Sequence, residues 1–125
     1  MRRKKTTGRS READTNRLDG AVEFYLRACY DMRTAARADE LAEFLRITRP
    51  YLSRYVAELA GMPLRDFLRR RQLVYAERLL RTTRLTVAQI ALASAFGTEW
   101  TFHRCFKAAF GLTPAVYREQ VTKCV

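Results

Sequence analysis

Histidine occurs once, tryptophan once and cysteine three times in 125 residues, and each shortage closes off a class of chemistry. Cys29, Cys105 and Cys124 are odd in number and far apart, with no CxxC pair, so neither a disulfide framework nor a zinc site is expected. Cys29 and Cys105 read instead as small packed helix residues. His103 stands alone: there is no acid pair, no nucleophile beside a base and no glycine-rich phosphate loop, so the chain is not expected to be an enzyme or to need a cofactor. Apolar runs never approach the roughly 18 residues of a bilayer span, the longest lying near Ile90 to Phe96. After the basic start MRRKK come Thr, Gly, Ser and Asp where an export signal needs apolar residues; the expectation is a soluble, cytoplasmic chain. No period-two alternation suggests a strand. Acidic residues are also few. Thirteen Asp and Glu face 24 Lys and Arg, leaving a formal charge of +11 and a pI near 10.3. A surface of that sign seeks DNA, RNA or an anionic membrane face.

The apolar residues, 48% of the chain, are enough for one domain or two very small ones, and they recur with helical period. In TEWTFHRCFKAAF, residues 98–110, Phe102, Phe106, Ala109 and Phe110 fall on one stripe that is expected to be buried. Trp100, Arg104 and Lys107 face the other way, with Thr101 and His103 on the flanks. About 50 residues upstream, YLSRYVAELA sets Leu52, Val56 and Leu59 on one stripe and Pro50, Arg54 and Ala57 on the opposite one. Aligned, Leu52 meets Phe102, Arg54 meets Arg104 and Gly61 meets Gly111. Leu41-Ala42 corresponds to Ile90-Ala91, with one residue more in the second turn. Each copy reads as a short apolar helix, a tight turn and a second helix with an outward arginine, which is a helix-turn-helix written twice.

In chain order, residues 1–19 hold seven Lys/Arg and three acids with almost nothing apolar, and are expected to be disordered, as a solubilising tail or as an arm on DNA phosphates. Val22, Tyr25, Leu26 and Cys29 predict a first helix over 20–32. Asp39 suits the N-cap or first turn of the next helix, whose apolar members are Leu41, Ala42 and Leu45. Thr48 is an N-cap with Pro50 in the first turn, Gly61 a C-cap, and Pro63 starts a helix. Residues 64–81 form a rod of about 27 Å at 1.5 Å per residue. Such a spacer suits two recognition helices about 34 Å apart, one turn of duplex. Thr86 caps the next helix, and Thr113-Pro114 opens a last one that Val116 and Tyr117 pack onto the core. The expected division is 20–62 for the first unit, 63–82 for the linker helix, 83–120 for the second unit and 121–125 for a tail, all helical, about seven helices.

The second unit, LLRTTRLTVAQIALASAFGTEWTFHRCFKAAFGLTPAVYRE, resembles the DNA-binding domain of the AraC/XylS family of bacterial transcription regulators. The likeness rests on Ile90-Ala91, on Phe102, Arg104, Phe106 and Lys107, and on Gly111, Pro114, Tyr117 and Arg118. The first unit matches through Leu41-Ala42, Leu52-Ser53-Arg54 and Gly61, and coverage is about residues 20–120. The resemblance implies two helix-turn-helix units on a long helix, binding promoter DNA and most often activating by touching RNA polymerase. It carries DNA-binding roles to Arg49, Pro50, Tyr51, Ser53 and Arg54, and to Thr98, Glu99, Trp100, Thr101 and Arg104. Four positions depart from the family pattern. Ala95 stands where a turn glycine is usual, Arg46 replaces a small turn residue, Gln72 falls where Arg is frequent, and Trp100 takes a place commonly small and polar.

Arg54 and Arg104 are the leading base readers, since a guanidinium can bond two acceptors of guanine; the bland alternative for each is a phosphate clamp. Lys107 and His103 suit phosphate, Lys107 equally an internal ion pair. Glu99 either accepts from cytosine or serves the helix dipole. Trp100 either meets a thymine methyl or folds onto the core. The two reading helices differ in sequence, so a monomer should recognise an asymmetric double-stranded site. The whole is read as a transcription regulator, complete or the C-terminal part of a longer one. The alternative is a basic helical module for RNA or a protein partner.

Overall fold

Capping residues set the helix boundaries. The computed structural model describes the backbone of residues 7–123 and the side chains of residues 13–122. These residues form α1 (Thr7–Met32), α2 (Ala38–Leu45), α3 (Arg49–Ala60), α4 (Leu64–Thr82), α5 (Val87–Ala93), α6 (Glu99–Phe110) and α7 (Pro114–Lys123). No strand occurs among them. Thr48 and Thr98 accept hydrogen bonds from the Tyr51 and Thr101 amides, which fixes the starts of α3 and α6. Gly61 (φ 71°) and Gly111 (φ 79°) end them in the left-handed conformation that glycine takes without a Cβ penalty. Thr86 and Gln89 form a reciprocal capping box on α5.

The turns inside the two units repeat bond for bond. Ile47 N–H donates to Ala42 O (3.1 Å) in the first, and Phe96 N–H donates to Ala91 O (3.0 Å) in the second. Between donor and acceptor sits one left-handed residue, Arg46 (φ 61°) or Ala95 (φ 64°). The two departures from the family's small turn residues therefore leave the turn geometry intact, at a cost of about 1–2 kcal/mol each for a side chain in that region. Gly97 (φ 85°) is the additional residue of the second turn, and a Cβ there would come within 3.1 Å of the Ala35 Cβ.

Two hydrophobic clusters result. One gathers Val22, Leu26, Leu41, Leu52, Val56 and Leu68 with their neighbours; the other gathers Leu73, Ala76, Leu80, Ile90, Phe102 and Phe106. Helix α4 supplies both and, at 19 residues, is about 28 Å long. The clusters are not separate along the chain, because Ala95, 1% exposed, belongs to the first although it lies in the second unit. Its carbonyl accepts from the Ala36 amide (3.0 Å) and from Gln72 Nε2 (2.9 Å), and Gln72 Nε2 also reaches Ser94 O (3.0 Å). Gln72 is thus a buried strut between the linker helix and the α5–α6 turn.

Aromatic and charged side chains tighten each half. Burial lifts the Tyr25 phenol far above its usual range; it donates to Glu40 Oε1 (2.7 Å) and accepts from the Arg37 amide (3.0 Å), clamping α1 to the start of α2. Tyr30 stacks on Tyr75 with centroids 4.2 Å apart. Arg118 donates to the carbonyls of Leu80 (3.1 Å), Thr83 (3.1 Å) and Leu85 (2.6 Å), sealing the end of α4. Tyr117 hydrogen-bonds Glu77, whose carboxyl is held below its usual range chiefly by Arg81.

Several expectations need correction. Residues 7–19 are the first half of α1 rather than a disordered tail: Leu18, one turn before Val22, is buried, and Arg71 of α4 pairs with Asp19 and Glu23. Residues 1–6 lie outside the described residues, as do Cys124 and Val125, so the tail is helical up to Lys123. Of the stripe on α6, Ala109 is exposed and Phe110 is 40% exposed, because α6 overruns the core and Phe110 packs at its edge, stacked on Phe106 (4.3 Å) and tilted against Tyr117 (5.7 Å). Val116 is exposed too, Tyr117 alone filling the role given to both.

Two stability measurements follow from these contacts. Replacing Gln72 with Leu leaves the Ser94 carbonyl without its side-chain donor and the Ala95 carbonyl with one donor; urea denaturation is expected to register a loss of about 1–3 kcal/mol. Arg46→Gly relieves the left-handed strain at an exposed site and is expected to raise stability by about 0.5–1 kcal/mol, after the larger backbone entropy of glycine is subtracted.

Candidate nucleic-acid interface

Burying Leu52 and Val56 on α3, and Phe102 and Phe106 on α6, turns the opposite side of each helix outward. Arg54 and Arg104 occupy the same place in the two copies, and both are exposed. Neither pairs with a carboxylate among the described residues. The Arg54 side chain makes no hydrogen bond among the described residues, whereas the Arg104 guanidinium lies over the Trp100 ring, 4.7 Å from its centroid. Trp100 is 67% exposed, which removes the alternative of a ring folded onto the core.

The remaining sequence candidates divide by partner. Arg49 Nη1 pairs with Asp39 Oδ1 (3.0 Å), so it ties the start of α3 to α2 and is half-committed inside the molecule. Pro50 is exposed in the first turn, and Tyr51, also exposed, lies parallel to Tyr55 with centroids 6.2 Å apart. Ser53 is half-buried. Thr98 and Thr101 spend their hydroxyls on each other (2.9 Å) and on the cap of α6, which makes them structural first. Glu99 sits at the first position of α6, where an acid suits the helix dipole. His103 and Lys107 are exposed; Lys107 forms no ion pair among the described residues, so its internal alternative does not occur there.

Sequence reasoning missed a second group. Beside the starts of α2 and α3, against α4, lies a shallow depression of about 240 Å³ lined by Arg37, Arg49, Arg65 and Arg69, with Asp39 and Gln72. Its position follows from two contacts: Arg49 belongs to α3, and Arg69 reaches across from α4 to donate to Cys105 Sγ of α6 (2.7 Å). Four arginines against one aspartate make this depression basic, although Arg49 is paired with Asp39 and Arg69 donates to Cys105. Arg65 and Arg69, four residues apart on a helix, were the available signal, but only the packing of α4 reveals which of its six arginines face this way.

Comparison with known proteins gives a consistent answer. A family model described as a helix-turn-helix domain, of the AraC type, matches residues 41–120. Over 80 residues the chain is 38% identical to the HTH-type transcriptional activator AarP of Providencia stuartii, covering 64% of this chain and 59% of AarP. It therefore spans about three fifths of that relative. Among solved structures, the C-terminal domain of the two-component response regulator yesN from Fusobacterium nucleatum is similar at TM-score 0.68 and 27% identity, covering 89% of this chain and 99% of the other. The DNA-binding domain of AdpA, solved in complex with a target DNA, is similar at TM-score 0.72 and 23% identity, covering 82% and 90%, which speaks to fold alone.

A basic depression of this kind suits a backbone phosphate. Arg65→Ala is expected to weaken binding to every duplex sequence alike and to lower the slope of log affinity against log salt by about one, as measured by fluorescence anisotropy across a salt series.

Proposed function

The chain belongs to the AraC/XylS-type helix-turn-helix family, and from that premise we propose that it is a sequence-specific regulator of transcription that inserts α3 and α6 into successive major-groove segments of an asymmetric promoter site. One observation supports this most directly: Arg54 and Arg104, at equivalent positions of a repeated unit, are both exposed and neither is neutralised by a carboxylate among the described residues. Arginine left free on a helix that enters the major groove can bond guanine O6 and N7 together. The rod α4 holds the two helices in one register, as reading two segments of one duplex requires.

The roles divide accordingly. Arg54 and Arg104 read bases, with Tyr51, Ser53, Glu99 and Trp100 beside them. Arg49, Pro50, Thr98, Thr101, His103 and Lys107 order the helix starts or meet the backbone. Because the surfaces around Arg54 and Arg104 differ in sequence, the half-sites differ and one monomer suffices for an asymmetric site. Activation through contact with RNA polymerase, in the cytoplasm, is the regulatory mode we favour, in keeping with AarP being an activator. A sensor domain elsewhere in a longer protein is compatible with this role.

Selection of bound duplexes from a random library tests the reading, and enrichment of a single asymmetric sequence is the expected result. Arg54→Ala and Arg104→Ala should each cost about 1–3 kcal/mol and relax one position of the site, each in a different half. Unchanged preference at every position in both variants would rule out base reading by these arginines.

A further inference from the structure

Trp100, the only tryptophan of the chain, is at the second position of α6 and 67% exposed, among the most exposed large apolar side chains described. A single exposed apolar side chain is ordinary by itself; what sets this one apart is the arginine packed on it. Its ring is partly covered by the Arg104 guanidinium, 4.7 Å from the centroid and one helical turn away. Glu99 and His103 complete a shallow depression with these two residues. The indole N–H can donate to a phosphate oxygen, but the apolar face of the ring has its counterpart in the major groove in the methyl group of thymine.

We infer that Trp100 and Arg104 form one reading unit that selects guanine together with a nearby thymine, Arg104 bonding the guanine edge and the indole seating the thymine methyl. The inference rests on the DNA-reading function proposed above and adds to it a second base and a coupling between two side chains. Stacking on the indole restricts the otherwise mobile guanidinium before DNA arrives, so less freedom is lost on binding. Helical spacing sets the distance: residues four apart are separated by about 6 Å along the axis, and base pairs by about 3.4 Å. The thymine should therefore lie one or two base pairs from the guanine, toward the side that the start of α6 occupies.

The test uses the duplex enriched by library selection, with each thymine of the α6 half-site replaced in turn by deoxyuridine, which removes only the methyl. Wild-type protein is expected to lose about fourfold in affinity at one thymine, the worth of one buried methyl, within two base pairs of the guanine whose preference Arg104→Ala abolishes. Trp100→Ala should bind the thymine and deoxyuridine duplexes equally, and helical circular dichroism should confirm that this exposed substitution leaves the fold intact. The inference is overturned if no deoxyuridine affects the wild type, or if Trp100→Ala keeps the same fourfold loss. Either result would leave sequence-specific binding standing. If the library yields no enriched sequence, the DNA-reading function itself falls, and this inference with it.

Discussion

One carbonyl oxygen holds the two halves of this protein in register. Ala95 O accepts from the Ala36 amide and from Gln72 Nε2, so the loop before α2, the linker helix and the turn before α6 meet at a single point. Both lone pairs are used, and the site is buried, where an unmade hydrogen bond costs the full desolvation of its partner. The left-handed conformation of Ala95 aims the carbonyl at those donors. Strain at that residue is thus coupled to the junction that sets how α6 lies relative to α3.

Arginine does two kinds of work here, separated by burial and partner. Arg71 pairs with Asp19 and Glu23 and lies over Phe67, while Arg118 satisfies three carbonyls at the end of α4; both are consumed in holding helices together. Arg54 and Arg104 spend no charge on a carboxylate among the described residues and so keep it for a partner. Charge in excess of internal need, exposed on α3 and α6 and in the depression beside α3, is what a polyanion of fixed pitch requires.

Much of the local structure was legible because capping chemistry is local. Thr48, Thr86 and Thr98 start helices, Gly61 and Gly111 stop them, and each acts through atoms within four residues. The repeat of about 50 residues likewise located α3 and α6 and their outward arginines without any knowledge of packing. The missed features all depend on residues distant in sequence. Residues 7–19 carry no apolar period, and their helix relies on Leu18 meeting the core and on Arg71 from α4. Phe110 and Val116 fall on the right stripes, yet their helices run past the edge of what they pack against.

By itself the sequence determined the all-helical class, the duplicated unit and the basic reading faces, because periodicity, caps and net charge are properties of residues and near neighbours. Only the tertiary structure decided that Gln72 is a buried strut, that Trp100 stands outward beneath Arg104, and that Arg37, Arg49, Arg65 and Arg69 converge on one depression. Those outcomes depend on which face of α4 each unit takes. That choice is made by the fit of two cores against one rod, which no short stretch of chain encodes.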